Sequence, residues 1–151
     1  MELTQWLNDR KIVGLDTNCF IYYFEGNKAY ENVLEKIFSA IENGKCKGIT
    51  SVISITEIII HPLRKEELNL AKQYKYVLYT FPNLLLQEIN HEIAYYAGLL
   101  RAGYNIRTPD ALQIASAILN NADIFITNDT KLRKVKEIEV VLLSELSGTN
   151  K

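Results

Sequence analysis

Four acidic side chains, Asp16, Glu57, Asp110 and Asp129, occupy points of this 151-residue chain where a carboxylate is either a local cap or part of a working site. Asp16 directly follows the apolar run Ile12-Val13-Gly14-Leu15, and Asp129 follows Ile124-Phe125-Ile126-Thr127-Asn128. Asp110 comes just after Thr108-Pro109, in the first turn of an expected helix, where the helix dipole favours an acid by about 0.3–1 kcal/mol whatever its role. Glu57 lies on the sole polar stripe, with Ser54 and His61, of a segment otherwise rich in Val and Ile. That segment is expected to be a largely buried helix, where a carboxylate is costly unless paired or bound to a cation. Taken singly, each acid has a structural reading: a cap for Asp16 and Asp129, a dipole partner for Asp110, and for Glu57 a salt bridge with Arg64 or another base, or an exposed edge of the helix.

Gathered into one crevice, the four would repel one another and raise each other's pKa unless divalent cations stabilised the ionised forms. Oxygen-only ligation suits Mg²⁺ or Mn²⁺ rather than Zn²⁺, and ions held this way are suited to phosphodiester hydrolysis. Other chemistries have less support. Cys19 and Cys46 show no metal or redox spacing and read as small buried hydrophobes. His61 and His91 are too few for a His-rich metal site. A further ligand role for His61, one turn from Glu57, is outweighed by a structural one before Pro62. No Ser occupies a Gly-x-Ser-x-Gly elbow.

Strand-length apolar runs alternate with stretches of helical period, the pattern of crossover units on a parallel sheet, so the expected fold class is α/β. Strands are expected at 11–16, 47–50, 83–87, 124–127 and 139–143. Helices are expected at 27–43 with Gly44 as the stop, after Ser51 to Pro62, at 66–81, and at 92–102 behind an Asn90 cap and closing at Gly103. A further helix opens with Thr108 as cap and carries Ala111, Ile114, Ala115, Ile118 and Leu119 on one stripe. Residues 130–136 read as a short helix or turn. In an open parallel sheet, ligands bind beyond the carboxyl ends of the strands, where Asp16 and Asp129 are expected.

A composition of 48% hydrophobic and 23% charged residues, with 17 Lys and Arg against 18 Asp and Glu, fits one ordinary domain spanning 1–151. No apolar run reaches the roughly 18 residues needed to cross a bilayer, so no membrane association is expected. The opening Met1-Glu2-Leu3-Thr4-Gln5-Trp6 lacks the order of a secretory leader, and a cytoplasmic location is expected. A net charge of −1 excludes tight binding of nucleic acid by bulk charge alone. Setting the four acids aside nevertheless leaves 14 acids against 17 bases, with the densest basic run at Lys131, Arg133, Lys134 and Lys136.

The residues resemble the PIN-domain ribonucleases, and most closely the VapC-type toxins of toxin–antitoxin pairs. Leu15-Asp16-Thr17-Asn18-Cys19-Phe20-Ile21-Tyr22-Tyr23 is similar to the family's opening motif, Thr56-Glu57-Ile58 to its helical Glu, Arg107-Thr108-Pro109-Asp110-Ala111-Leu112-Gln113-Ile114-Ala115 to its third motif, and Ile126-Thr127-Asn128-Asp129 to its closing one. The resemblance implies a five-stranded parallel sheet flanked by helices in three α/β/α layers, and Mg²⁺- or Mn²⁺-dependent cleavage of RNA. Asp16, Glu57, Asp110 and Asp129 would then be metal ligands and catalytic groups. Thr17, Asn18, Thr127 and Asn128 would orient carboxylates or waters. Arg107, Lys131, Arg133 and Lys134 are candidates for RNA phosphates, against salt-bridge and solvated-surface readings. A homodimer and a small antitoxin partner are expected by resemblance only. Leu132 stands where many relatives have an aromatic, a departure that bears on packing.

The chief alternative is a catalytically silent PIN-like domain that binds RNA or a partner. A phosphoacceptor receiver module fits less well, because it needs an acidic pair after the first strand and a Lys after the last. A haloacid-dehalogenase-type phosphatase needs Asp-x-Asp where this chain has Asp16-Thr17-Asn18.

Overall fold

The computed structural model describes residues 3–10 and 12–149. Five strands, β1 (Ile12–Leu15), β2 (Lys47–Ser51), β3 (Leu84–Gln87), β4 (Ile124–Thr127) and β5 (Glu139–Leu142), form one parallel sheet in the order β3-β2-β1-β4-β5. Lys11, included in the expected first strand, lies outside the described residues. The helices are α1 (Leu3–Asn8), α2 (Thr17–Glu25), α3 (Glu31–Glu42), α4 (Ile53–Arg64), α5 (Leu68–Thr80), α6 (His91–Tyr104), α7 (Thr108–Leu119) and α8 (Leu143–Thr149), with a 3₁₀ turn at Thr130–Lys134. The class is α/β in three layers, as the alternating pattern indicates.

Strand alternation divides the core in two. On β4, Ile124 and Ile126 face a layer built with Leu34, Ile37 and Ile41 of α3, whereas Phe125 faces the layer of α6 and α7. Both cysteines are buried and free, and burial raises their thiol pKa, Cys46 to about 11, so neither supplies a thiolate. Leu132 is buried in the α6–α7 layer, where it fills packing space.

Several elements differ from the sequence expectation. Helix α2 is hidden in the sequence because its Cys19–Phe24 run is aromatic and β-branched, yet both of its ends are marked: Asp16 caps it and Gly26, at φ 66°, closes it. The short α1 and α8 are likewise additions to the expected elements. Pro62 does not end α4, which continues to Arg64. Proline sits in the last turn, where its missing N–H removes a single hydrogen bond. Nor is α4 largely buried. It packs on α2, α5 and α7 rather than across the sheet, which leaves Ile60 and Leu63 exposed. Arg107, not Thr108, is the capping position of α7, and it makes no side-chain cap bond. Helix α6 runs through Gly103 to Tyr104 and closes at Asn105, in the left-handed region at φ 54°.

The chain leaves β1 toward β2 on one side and returns to β4 on the other, so the order reverses between β1 and β4. The Asp16 N–H bonds the Ile126 carbonyl at 3.0 Å, fixing the two carboxyl ends side by side. Helix α7 comes close to β1 because position 14 has no side chain: a Cβ at Gly14 would lie 2.9 Å from the Ala117 Cβ and 3.0 Å from the Phe125 ring. Gly14→Ala is therefore expected to lower unfolding stability by about 1–3 kcal/mol through overpacking. Urea denaturation measures this, and an unchanged midpoint would refute the close approach.

Candidate active site

The carboxyl ends of β1 and β4, with α4 and α7, enclose a cavity of about 280 Å³. Asp16, Glu57, Asp110 and Asp129 all line it, each delivered by a different segment. Asp16 is nearly buried at 6% exposure. Its Oδ1 accepts the Thr17 N–H at 2.7 Å and its Oδ2 accepts the Thr127 hydroxyl at 2.6 Å. Thr127 Oγ1 also accepts the Asp129 N–H at 3.1 Å, so one buried hydroxyl joins the first and last acids.

Burial is the largest influence on Asp16 and raises its pKa to about 6. The Thr127 and Thr17 hydrogen bonds oppose that rise, while the charges of Asp110 and then Glu57 add to it. Glu57 accepts the Thr17 hydroxyl at 2.6 Å through Oε1. Asp110, 8% exposed, accepts from Arg107 Nε at 3.2 Å through Oδ2, and Asp129 Oδ1 accepts the Lys131 N–H at 2.9 Å. Arg107 lies over the cavity largely exposed. The Asp110 bond and charge, with smaller contributions from Glu57 and Asp129, hold its pKa above the ordinary arginine value.

Among the described residues no three His, Cys, Asp or Glu side chains already converge on one point for an ion. The donor set nevertheless fits a hard divalent cation. Glu57 Oε2, Asp110 Oδ1 and Asp129 Oδ2 accept no hydrogen bond from the described residues, on a cavity whose most buried acid is destabilised in its charged form. The engaged oxygens hold the side chains in place, and an ion could be met by the free ones together with the second lone pair of either Asp16 oxygen, each of which accepts a single hydrogen bond.

The supporting residues divide. Thr17 and Thr127 contact the acids directly, and Asn18 lines the cavity. Asn128 turns away, donating from Nδ2 to the Tyr30 hydroxyl at 3.0 Å. Of the candidate basic residues, Arg107 is on the cavity and Lys131 beside it, in an adjoining pocket with Arg107, Asp110 and Asp129. Arg133 pairs with Glu145 at 3.2 Å, and Lys134 is exposed and lines neither pocket. His61, Arg64, Ile21 and Ile60 complete the wall. The i+4 and i+7 spacings from Glu57 to His61 and Arg64 carry that signal, which the expectation of a buried helix obscures.

The PIN domain family model matches residues 13–138. The chain belongs to the PIN domain family. The matched span of this PIN domain contains all four acids. Solved structures with the same fold come from VapBC2 of Rickettsia felis bound to a DNA fragment from their promoter (20% identity, 87% of this chain and 98% of that one, TM-score 0.66), from a toxin–antitoxin complex of Klebsiella pneumoniae (21%, 88% and 97%, 0.65), and from DNA-bound VapBC of Salmonella typhimurium (18%, 88% and 98%, 0.69). No curated protein is matched by sequence. Among the described residues, no helix is long and apolar enough to cross a membrane.

Because Asp16 holds its proton to a higher pH in the folded PIN domain than in the unfolded chain, the native state binds more protons between about pH 4 and 6. Its contribution to stability therefore falls as pH rises through that window and is lowest above it, by up to ~3 kcal/mol. Asn at position 16 can keep both contacts, accepting from Thr17 and donating to Thr127. Asp16→Asn is expected to be more stable than the parent at pH 7 and to lose that advantage near pH 4. Denaturant unfolding across pH 4–7 is the measurement, and parallel curves for the two proteins would disprove the burial effect.

Proposed function

We propose that this PIN domain is a divalent-metal-dependent ribonuclease of the VapC toxin type, acting in the cytoplasm. The observation that carries the reading is the set of four carboxylates, from four separate segments, on one cavity at the point where the strand order reverses. Asp16, Glu57, Asp110 and Asp129 would hold Mg²⁺ or Mn²⁺. When bound, such an ion supplies Lewis acidity and favours ionisation of an attacking water in an in-line displacement at phosphorus.

The chain's own residues account for the rest. Asp16 is held rigidly by Thr17 and Thr127, so its carboxylate is preorganised. Arg107 and Arg64 on the cavity, with Lys131 beside it, offer positive charge to RNA phosphates around the acids. Asn18, exposed at the start of α2, can hydrogen-bond a substrate oxygen or a water.

The relatives of known structure come from toxin–antitoxin complexes, which supports an antitoxin partner for this chain; a homodimer belongs to the same proposal through the family resemblance alone. Exposed Tyr76 and Tyr79 on α5, with Leu68, are apolar surface of the kind a partner covers. Purified protein is expected to cleave RNA with Mg²⁺ or Mn²⁺, to stop on chelation, and to show no metal-dependent cleavage as Asp16→Asn. Equal cleavage by that variant would trace the activity to a contaminant, and binding without cleavage by the parent would favour the silent RNA-binding alternative. Expression of the parent is expected to arrest growth, and co-expression of a small neighbouring protein to relieve it. Harmless expression would remove the toxin assignment.

A further inference from the structure

Beneath the cavity floor is a polar cluster sealed from solvent: Thr17, Thr50, Ser51, Ser54 and Gln113 are each 4% exposed or less. It joins α2, β2, α4 and α7, and water cannot replace a missing partner there without cost. Gln113 is at its centre. Its Oε1 lies 3.3 Å from the Ser51 N–H, which can only donate, and this fixes the orientation of the amide. Nε2 then faces Thr17 Oγ1 and Ser54 Oγ, each at 2.8 Å, and donates to both. The flipped amide would set two N–H groups against each other at Ser51 and leave Thr17 between two acceptors with one hydrogen to give.

The remaining hydrogens follow by counting. Thr17 accepts from Gln113 and has one hydroxyl hydrogen, and Glu57 Oε1 at 2.6 Å takes it. Thr50 donates to an acceptor, the Leu15 carbonyl at 3.0 Å or Gln113 Oε1 at 3.2 Å. Ser54, 2.9 Å from both Thr17 and Thr50, therefore donates to one of them. The directions are mutually consistent, and the branch that runs from Gln113 Nε2 through Thr17 ends at Glu57 on the cavity wall.

We propose that Gln113 is a positioning residue for the site: its buried amide commits the Thr17 hydroxyl to donate to Glu57, and so sets where the Glu57 carboxylate stands. The inference rests on the metal-dependent reading above for its consequence, but its geometry does not require a metal. The amide is there because α7 must present a donor to a hydroxyl that is itself a donor.

The test compares full-length parent, Gln113→Met, Thr17→Val and Thr17→Ser by crystal structure and by Mn²⁺ titration followed through the paramagnetic signal of free Mn²⁺. Thr17→Ser is expected to retain both the Glu57 contact and the affinity. Gln113→Met and Thr17→Val are expected to release the Glu57 carboxylate from its present position, and each to weaken Mn²⁺ binding by roughly ten- to a hundredfold. The double variant is expected to be no weaker than either single one, because both act through one hydroxyl. Glu57 unmoved in folded Gln113→Met, or Mn²⁺ affinity unchanged there, overturns the proposal. If Gln113→Met does not fold, Gln113→Leu is read the same way, since it too removes the donor toward Thr17. If neither folds, the Thr17 pair decides the matter: unchanged Glu57 and affinity in Thr17→Val overturn it. A parent that takes up no Mn²⁺ overturns the metal reading, and the position of Glu57 in the metal-free crystals still decides the role of Gln113.

Discussion

Mutual repulsion among carboxylates on one small cavity is the constraint around which the rest of this PIN domain is arranged. Asp16 is the centre of the difficulty, because it is buried and feels Asp110 and Glu57 as well. The fold answers with fixed donors rather than with solvent: a backbone N–H and a threonine hydroxyl for Asp16, a hydroxyl for Glu57, a guanidinium for Asp110 and a backbone N–H for Asp129. These donors moderate the cost without removing it, and Asp16 still ends with its pKa raised. A site left in that condition has a standing affinity for positive charge.

The donors are themselves organised by the sheet. Thr127 ends β4 and reaches across to the residue that ends β1, so the parallel register between those strands decides whether the first and last acids share a hydroxyl. On the far side, Thr50 and Ser51 end β2 and orient Gln113, which orients Thr17. Three adjacent strand ends thus converge on the same few carboxylates. Arg107 differs in kind. It is a largely exposed counter-charge whose influence extends from Asp110 to Glu57 and Asp129.

Much of this is legible in the amino-acid sequence. The alternation of short apolar runs with helical stretches specifies a parallel sheet, and the acids at 16 and 129 fall at strand ends because a turn there is polar by necessity. Glu57 stands out for a reason that holds only in part. The wealth of isoleucine in α4 suggests burial, yet the helix lies at the edge and spends that apolar surface on α2, α5 and solvent. Pro62 misleads because the rule against proline weakens in a helix's last turn. The Gln113 cluster is not readable at all. A glutamine on a helix stripe is ordinarily a surface residue, and only the topology that puts α7 over the end of β2 makes it a buried donor.

The glycine at position 14 has a meaning beyond its own packing. It lies two residues before Asp16, and the Ala117 methyl it admits lies two helical turns after Asp110 on the same helix. The gap left by one absent methyl group therefore sets the distance between two of the four acids. Functional constellations commonly tolerate no more than about half an ångström of error, so the tolerance of this site is fixed at a position off the cavity lining. Side chains in the cavity could be exchanged while the site kept its dimensions, whereas a change at this featureless residue would alter the dimensions although every functional group was still present.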